Sequence, residues 1–206
     1  MARPRGDLQP RIVRAARERF LADGVDGASL RAIARGAGTG IGMVYYYFRT
    51  KDELFLAVVE ETYARLLGGL EVALDPALPV EARIRRVFER FGELAGDEVD
   101  VLGLVVREAL FSPTRRELVI ERFSRGHIPL LAALVVDGRA SGALREDVPP
   151  TVLMMSALSL GIAPQLVRRF VGDRFVFAEA PRGVALAHAL AEVLMRGAAA
   201  EPRRDE

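Results

Sequence analysis

Apolar residues return every three to four positions along almost the whole of this chain, and nowhere does the two-residue alternation of a strand persist. That period confines the fold to helices, and we expect an all-α chain of about nine of them. The first is read from Leu8 to Asp23, with Ile12, Ala16 and Phe20 as its buried stripe. Gly24 then supplies a left-handed cap, and Val25 packs back on the last turn. Ser29 caps a short second helix in which Leu30, Ile33, Ala34 and Ala37 share one face, and Gly36 and Gly38 break it. A third short helix runs from about Gly40 to Tyr47.

Thr50-Lys51-Asp52-Glu53 reads as a capping box, each end bonding the other's backbone N–H. It opens a fourth helix, about 51–68, that reaches Gly68-Gly69. Beyond Pro76 and Pro79 the periodicity predicts a fifth helix over Val80–Ala95 and a sixth over Asp100–Phe111, apolar on most sides. A second capping box, Thr114 to Glu117, opens a long seventh helix towards Asp137, kinked at Pro129. The eighth starts at Pro149-Pro150. The ninth starts at Pro181 and ends near Arg196.

Composition narrows the class. Over 206 residues, 50% are hydrophobic and 28% charged, the balance of a globular chain. Cysteine is absent, which removes disulfides and thiol chemistry. The uncharged stretch Thr151–Gln165, with Pro164 inside it, has 15 residues, short of the ~20 of a membrane helix. No apolar run follows Met1–Arg5, so we expect no signal peptide, no membrane and a cytoplasmic location. Net charge is only +1, but residues 1–55 hold ten basic against six acidic side chains, and the remainder 19 against 22. A basic front on a slightly acidic body suits a polyanion that touches one end.

Two short helices joined by a glycine turn and buttressed by a first helix form a helix-turn-helix. The run Ser29-Leu30-Arg31-Ala32-Ile33-Ala34, then Ala37-Gly38, then Gly42-Met43-Val44-Tyr45-Tyr46-Tyr47-Phe48-Arg49-Thr50-Lys51-Asp52-Glu53-Leu54, resembles the DNA-binding domain of the tetracycline-repressor (TetR) family. The resemblance covers about Ile12–Val59. It implies a three-helix DNA-binding domain over 1–55, with helix four as the connector, and a helical ligand-binding and dimerisation domain over 56–206. Such a chain would bind a palindromic double-stranded operator as a homodimer and be released by a small effector. The competing reading is a helical small-molecule-binding protein that has lost specific DNA binding.

The residue types carry that chemistry on their own terms. Ile33, Ala34, Val44 and Phe48 are the interior of the wedge. Ser29 and Arg31 stand near a helix start, where hydroxyl and guanidinium can take a phosphate, with a solvated surface charge as the less favoured alternative for Arg31. Tyr45 and Tyr46 offer hydroxyls to phosphate or base edges, while Tyr47 is read as core. Lys51 lies in a first helical turn, where a cation gains nothing from the macrodipole, so a partner phosphate accounts for it. Gly40-Ile41-Gly42-Met43 departs from the mostly polar residues that the family often carries there. Its two glycines cost up to ~1 kcal/mol each relative to alanine, and Ile41 and Met43 can pack only on thymine methyls.

In the body, Phe88, Phe91, Leu102, Phe111, Phe123, His127, Leu131, Met154 and Met155 are candidates to line a lipophilic pocket, although each alone reads as ordinary core. The ninth helix is apolar nearly all round and therefore needs two partners. Val184, Ala187, Leu190, Ala191 and Met195, with Leu153, Leu158 and Ile162 of the eighth, are the expected dimer interface; a monomer burying both faces is the alternative. His127 and His188 lie 61 positions apart, and there is no phosphate-binding glycine loop or nucleophile elbow. We expect no enzyme, no cofactor and no metal.

Overall fold

The computed structural model describes residues 7–172 and 179–198, and these hold ten α-helices and no β-strand. In chain order they are α1 (Leu8–Gly27), α2 (Leu30–Gly36), α3 (Ile41–Tyr47), α4 (Lys51–Ala73), α5 (Val80–Gly92), α6 (Gly96–Phe111), α7 (Pro113–Ser124), α8 (His127–Ala140), α9 (Pro150–Val171) and α10 (Gly183–Ala198). The chain is all-α, as its periodicity requires.

Ten helices replace the expected nine because the segment read as one helix from Thr114 to Asp137 is two. The chain breaks at Arg125-Gly126, and Pro129 falls in the first turn of α8. There its missing N–H has no intrahelical partner to lose, so no kink arises. The cap of α7 also differs from expectation. Ser112 rather than Thr114 caps it, its hydroxyl accepting from the N–H of Arg115 at 3.3 Å, with Pro113 preset for the first helical position. At α4 the N–H of Glu53 donates to Thr50 Oγ1 (3.0 Å), but the Glu53 carboxylate takes the N–H of Arg49 (2.7 Å) instead of that of Thr50. α4 runs through Gly68-Gly69 to Ala73, and α6 begins early, at Gly96, where Glu98 accepts the N–H of Ala95 at 2.9 Å.

The helices form two compact units. One takes Asp100–Glu121 together with the chain up to Arg65, and the other takes Leu66–Val99 with the chain from Arg122 onward. These units are drawn differently from the 1–55 and 56–206 division, and the chain passes between them three times, within α4, α6 and α7. α4 is therefore not the sole covalent connection.

In the first unit Ile12, Phe20, Ile33, Val44, Leu54 and Phe55 are almost wholly buried, with α2 packed against both α1 and α3. In the second, α5 packs against α8, α9 and α10, with Val87, Phe88 and Phe91 at the centre. The approach of α10 is close: a Cβ on Gly92 would lie 2.8 Å from both Ala187 Cβ and the Gly183 carbonyl oxygen.

α9 is, by length and composition, apolar enough to cross a bilayer, and little of it is buried within the chain. The expectation from Thr151–Gln165 understated it, because the charge-free run extends from Val148 to Val167 and the helix continues to Val171, with Arg168 and Arg169 confined to its last turn. It leaves an outward stripe of Val152, Met155, Val167 and Phe170.

Candidate nucleic-acid interface and effector pocket

The link between α2 and α3 is a left-handed glycine cap. Gly38 has φ 66°, its N–H bonds the Arg35 carbonyl (3.0 Å), and the Thr39 N–H reaches back to Ala34 (2.9 Å). This six-to-one and five-to-two pair is the Schellman arrangement, and only glycine adopts that φ cheaply. The guanidinium of Arg11 on α1 donates to the Ala37 carbonyl, tying the buttress helix to the turn. Val44 is buried, Ile41 and Tyr47 are partly so, and Gly42, Met43, Tyr45 and Tyr46 face outward. Tyr46 is 77% exposed and stands edge-on to Tyr47, with centroids 5.2 Å apart. A phenol held outward by a neighbouring ring is placed to meet a partner.

Ser29 occupies the N-cap position of α2 and is exposed but makes no capping bond, so the expected side-chain cap is absent. Arg31, Gly40, Arg35 and Arg49 are exposed too, the last two having escaped sequence reasoning because they lie outside the matched motif positions of basic character. Lys51 has a partner within the chain: its ammonium donates to the Asp26 carbonyl at 2.9 Å. This cation therefore has an intrachain acceptor, where a phosphate was the expected partner.

Asp26 is held from the other side as well. Arg115 of α7, whose side chain is only 6% exposed, donates to Asp26 Oδ1 at 3.0 and 2.5 Å and lies 3.2 Å from Glu108 and 3.7 Å from Asp52. Arg107 of α6 reaches the Phe20 carbonyl (3.4 Å) and Glu108 (3.1 Å). Within this unit, α6 and α7 thus grip the junction between α1 and α2 and the start of α4. No sequence signal marks it, since Arg115 and Asp26 stand 89 positions apart.

The second unit encloses a cavity of about 30 Å³ lined by Ile84, Leu131, Leu134, Leu153, Met154 and Leu194, among others. Of the nine residues expected to line a pocket, only Leu131 and Met154 do so. Phe88 and Phe91 are buried in the centre around α5, and Phe111, 81% exposed, and Met155, 67% exposed, face solvent. Leu102 and Phe111 belong to the other unit. The walls of this cavity are chiefly aliphatic. The interface candidates divide similarly. Leu153, Ala187 and Ala191 are buried within the chain, whereas Leu158, Ile162, Val184, Leu190 and Met195 are partly exposed.

His127 is buried, edge-on to Phe123 with centroids 4.8 Å apart. Burial, then the charge of Arg122, lowers its pKa from 6.5 to about 4. The unfolded chain therefore binds the extra proton between these values, and stability, full above pH 6.5, falls as pH drops towards 4. We expect a loss on the order of 2 kcal/mol on that limb. His127→Leu should flatten it in urea midpoints compared at pH 7 and 4.5; an unaltered slope would show that other groups carry the acid response.

The profile of bacterial regulatory proteins of the tetR family matches residues 12–58, the stretch that forms the wedge and the first third of α4. The chain is 22% identical over 157 residues to the uncharacterized HTH-type transcriptional regulator YhgD of Bacillus subtilis, covering 76% of this chain and 82% of that one. Over 97 residues it is 32% identical to the HTH-type nicotine-responsive transcriptional repressor HdnoR of Paenarthrobacter nicotinovorans, covering 47% and 50%. Its fold is similar to that of the transcriptional regulator FadR of Bacillus subtilis in complex with stearoyl-CoA, with a TM-score of 0.75, 18% identity, and 91% and 98% of the chains covered. A glycine-capped helix-turn-helix whose stretch 12–58 matches the family's profile identifies that stretch as the DNA-binding domain of a transcriptional regulator of the tetR family.

Proposed function

We propose that this regulator is a repressor that binds a palindromic operator as a homodimer in the cytoplasm and leaves it when a small lipophilic effector enters the second unit. The observation that carries the DNA half is the outward face of Gly42, Met43, Tyr45 and Tyr46, set on a wedge whose opposite face is sealed core. Ser29, Arg31 and Lys51 flank it as phosphate contacts, and Gly40 and Ile41 open the helix, Ile41 packing on thymine methyl groups. The effector half is supported by the apolar cavity and by relatives named for nicotine response or solved with stearoyl-CoA. At about 30 Å³ the cavity is far below the roughly 300 Å³ of a small-molecule site, so an effector must part the helices around Leu131, Met154 and Leu194. A ligand that requires a different body conformation necessarily shifts the equilibrium towards it. The dimer half is supported by the bare apolar stripe of α9 and by Val193 on α10.

Selection from random duplexes tests this reading. One palindromic sequence should be enriched, and an effector's affinity, measured by calorimetry, should fall by roughly 5- to 150-fold when that duplex is present, because coupling is reciprocal. Enrichment of nothing would favour instead a helical binding protein without an operator.

A further inference from the structure

Arg83 on α5 is a buried cation with most of its donors unused. Its side chain is only 7% exposed, yet among the described residues it makes a single hydrogen bond, from Nη1 to Asp137 Oδ2 at 2.8 Å. Its Nε–H meets no acceptor within the chain. A guanidinium carries five N–H donors, and a buried one left unmet is costly. Arg115 and Arg139 also leave Nε without a hydrogen bond, but they are held more fully. Arg115 Nε lies 3.2 Å from the Glu108 carboxylate, and Arg139 gives Nη2 to the carbonyls of Glu146 and Val148.

Arg83 differ from both in its place. It lines an open groove of about 730 Å³ in the second unit, between the turn that leads into α5 and the C-terminal end of α8. That is the size of a small-molecule site. Leu78, Val80, Ala140 and Ala143 give the groove apolar walls. The N-terminus of α5 adds donors on the same side. Its first intrahelical bond runs from the Arg83 N–H to the Pro79 carbonyl, so the N–H groups of Val80, Glu81 and Ala82 precede it, and Pro79 supplies no side-chain cap. The facing end of α8 is already satisfied: the carbonyls of Asp137, Gly138 and Arg139 take the N–H groups of Ser141, Leu144 and Gly142. The groove therefore offers donors and calls for an acceptor oxygen.

Charge decides which kind of oxygen. Besides Arg83, the charged side chains of the lining are Glu81 and Asp137, so two carboxylates stand against one guanidinium. A ligand carboxylate would face both of them, and an ammonium would face the guanidinium and meet none of the free donors. We propose that the groove binds a neutral carbonyl compound, an amide or ester on a short apolar body, whose oxygen accepts from Arg83 while the body lies against Leu78, Val80, Ala140 and Ala143. This site is separate from the enclosed cavity: Val80 and Ala143 line the groove, whereas Ile84 and Leu144 line the cavity. It stands whether or not an effector enters that cavity.

The test uses three probes of one length, hexanamide, hexanoate and hexylammonium, titrated into the full chain by ligand-detected NMR. Hexanamide should bind about tenfold more tightly than either ion, and Arg83→Met should weaken it by about tenfold. Asp137→Asn keeps an acceptor beside Arg83 and removes one negative charge. It should leave hexanamide within about twofold and strengthen hexanoate by about fivefold or more, a reordering that a merely structural Arg83–Asp137 pair would not produce. Asp137 is half-exposed, so this variant decides the matter even if Arg83→Met fails to fold. Tighter binding of either ion by the wild-type protein overturns the proposal, as does hexanamide binding that survives Arg83→Met. An unchanged ratio of hexanoate to hexanamide affinity in Asp137→Asn overturns it too.

Discussion

Arg115→Met should destabilise the protein by about 3 kcal/mol, the low end for stripping one partner from a buried ion pair. The arginine is buried, as is Glu108 at 3.2 Å, so the substitution leaves a carboxylate facing apolar surroundings. Arg107, 3.1 Å from Glu108, remains and keeps the loss from being larger. The bond to Asp26 contributes less despite its shorter distance, because that carboxylate is 86% exposed and water competes for it. Asp26→Ala should accordingly cost less than about 1 kcal/mol. Arg115→Met combined with Glu108→Leu should recover much of the deficit, since a matched apolar pair carries no desolvation penalty. Urea midpoints of the three variants decide the matter. If Arg115→Met were no worse than Asp26→Ala, burial would not be setting the strength of this cluster.

The second large effect concerns the proposed dimer. Met155 is 67% exposed on the outward stripe of α9, so arginine there costs the folded chain almost nothing. In a dimer built on that stripe it places two like charges in an apolar seam. Met155→Arg should sediment as a monomer with an unchanged thermal transition, and its operator affinity should fall by at least about 100-fold, because two half-sites are then bound independently. Ala191→Arg makes the contrast. Ala191 is 4% exposed and buried within the chain, so that variant should unfold rather than dissociate. A Met155→Arg protein that remains dimeric would move the interface elsewhere.

The pairing of those two residues shows where sequence reasoning stops. α10 is apolar nearly all round, and periodicity alone does not say which face meets α5 and which is left bare. The tertiary structure turns Ala187, Ala191 and Leu194 inward and Val193 outward. The same holds for Phe88 and Phe111, which have the same composition signal, yet one is core and the other is exposed, a difference decided by packing partners far away in the chain. Pro129 marked a disturbance in the helix period, but whether it kinks a helix or opens one depends on the chain breaking at Gly126.

What the amino-acid sequence settled by itself is what local physics controls. The 3.6-residue period made every element a helix, Gly38 closed α2 with a left-handed turn, Thr50 began α4, and Ile33, Val44 and Phe48 became the interior of the wedge. These are interactions within a turn or two, encoded in neighbouring letters. Only the tertiary structure decided that Arg115 meets Asp26 across 89 positions, that Lys51 bonds a backbone carbonyl, and that the body closes around about 30 Å³. Such contacts arise when distant segments bury shared surface, and nothing in the spacing of residues along the chain specifies them.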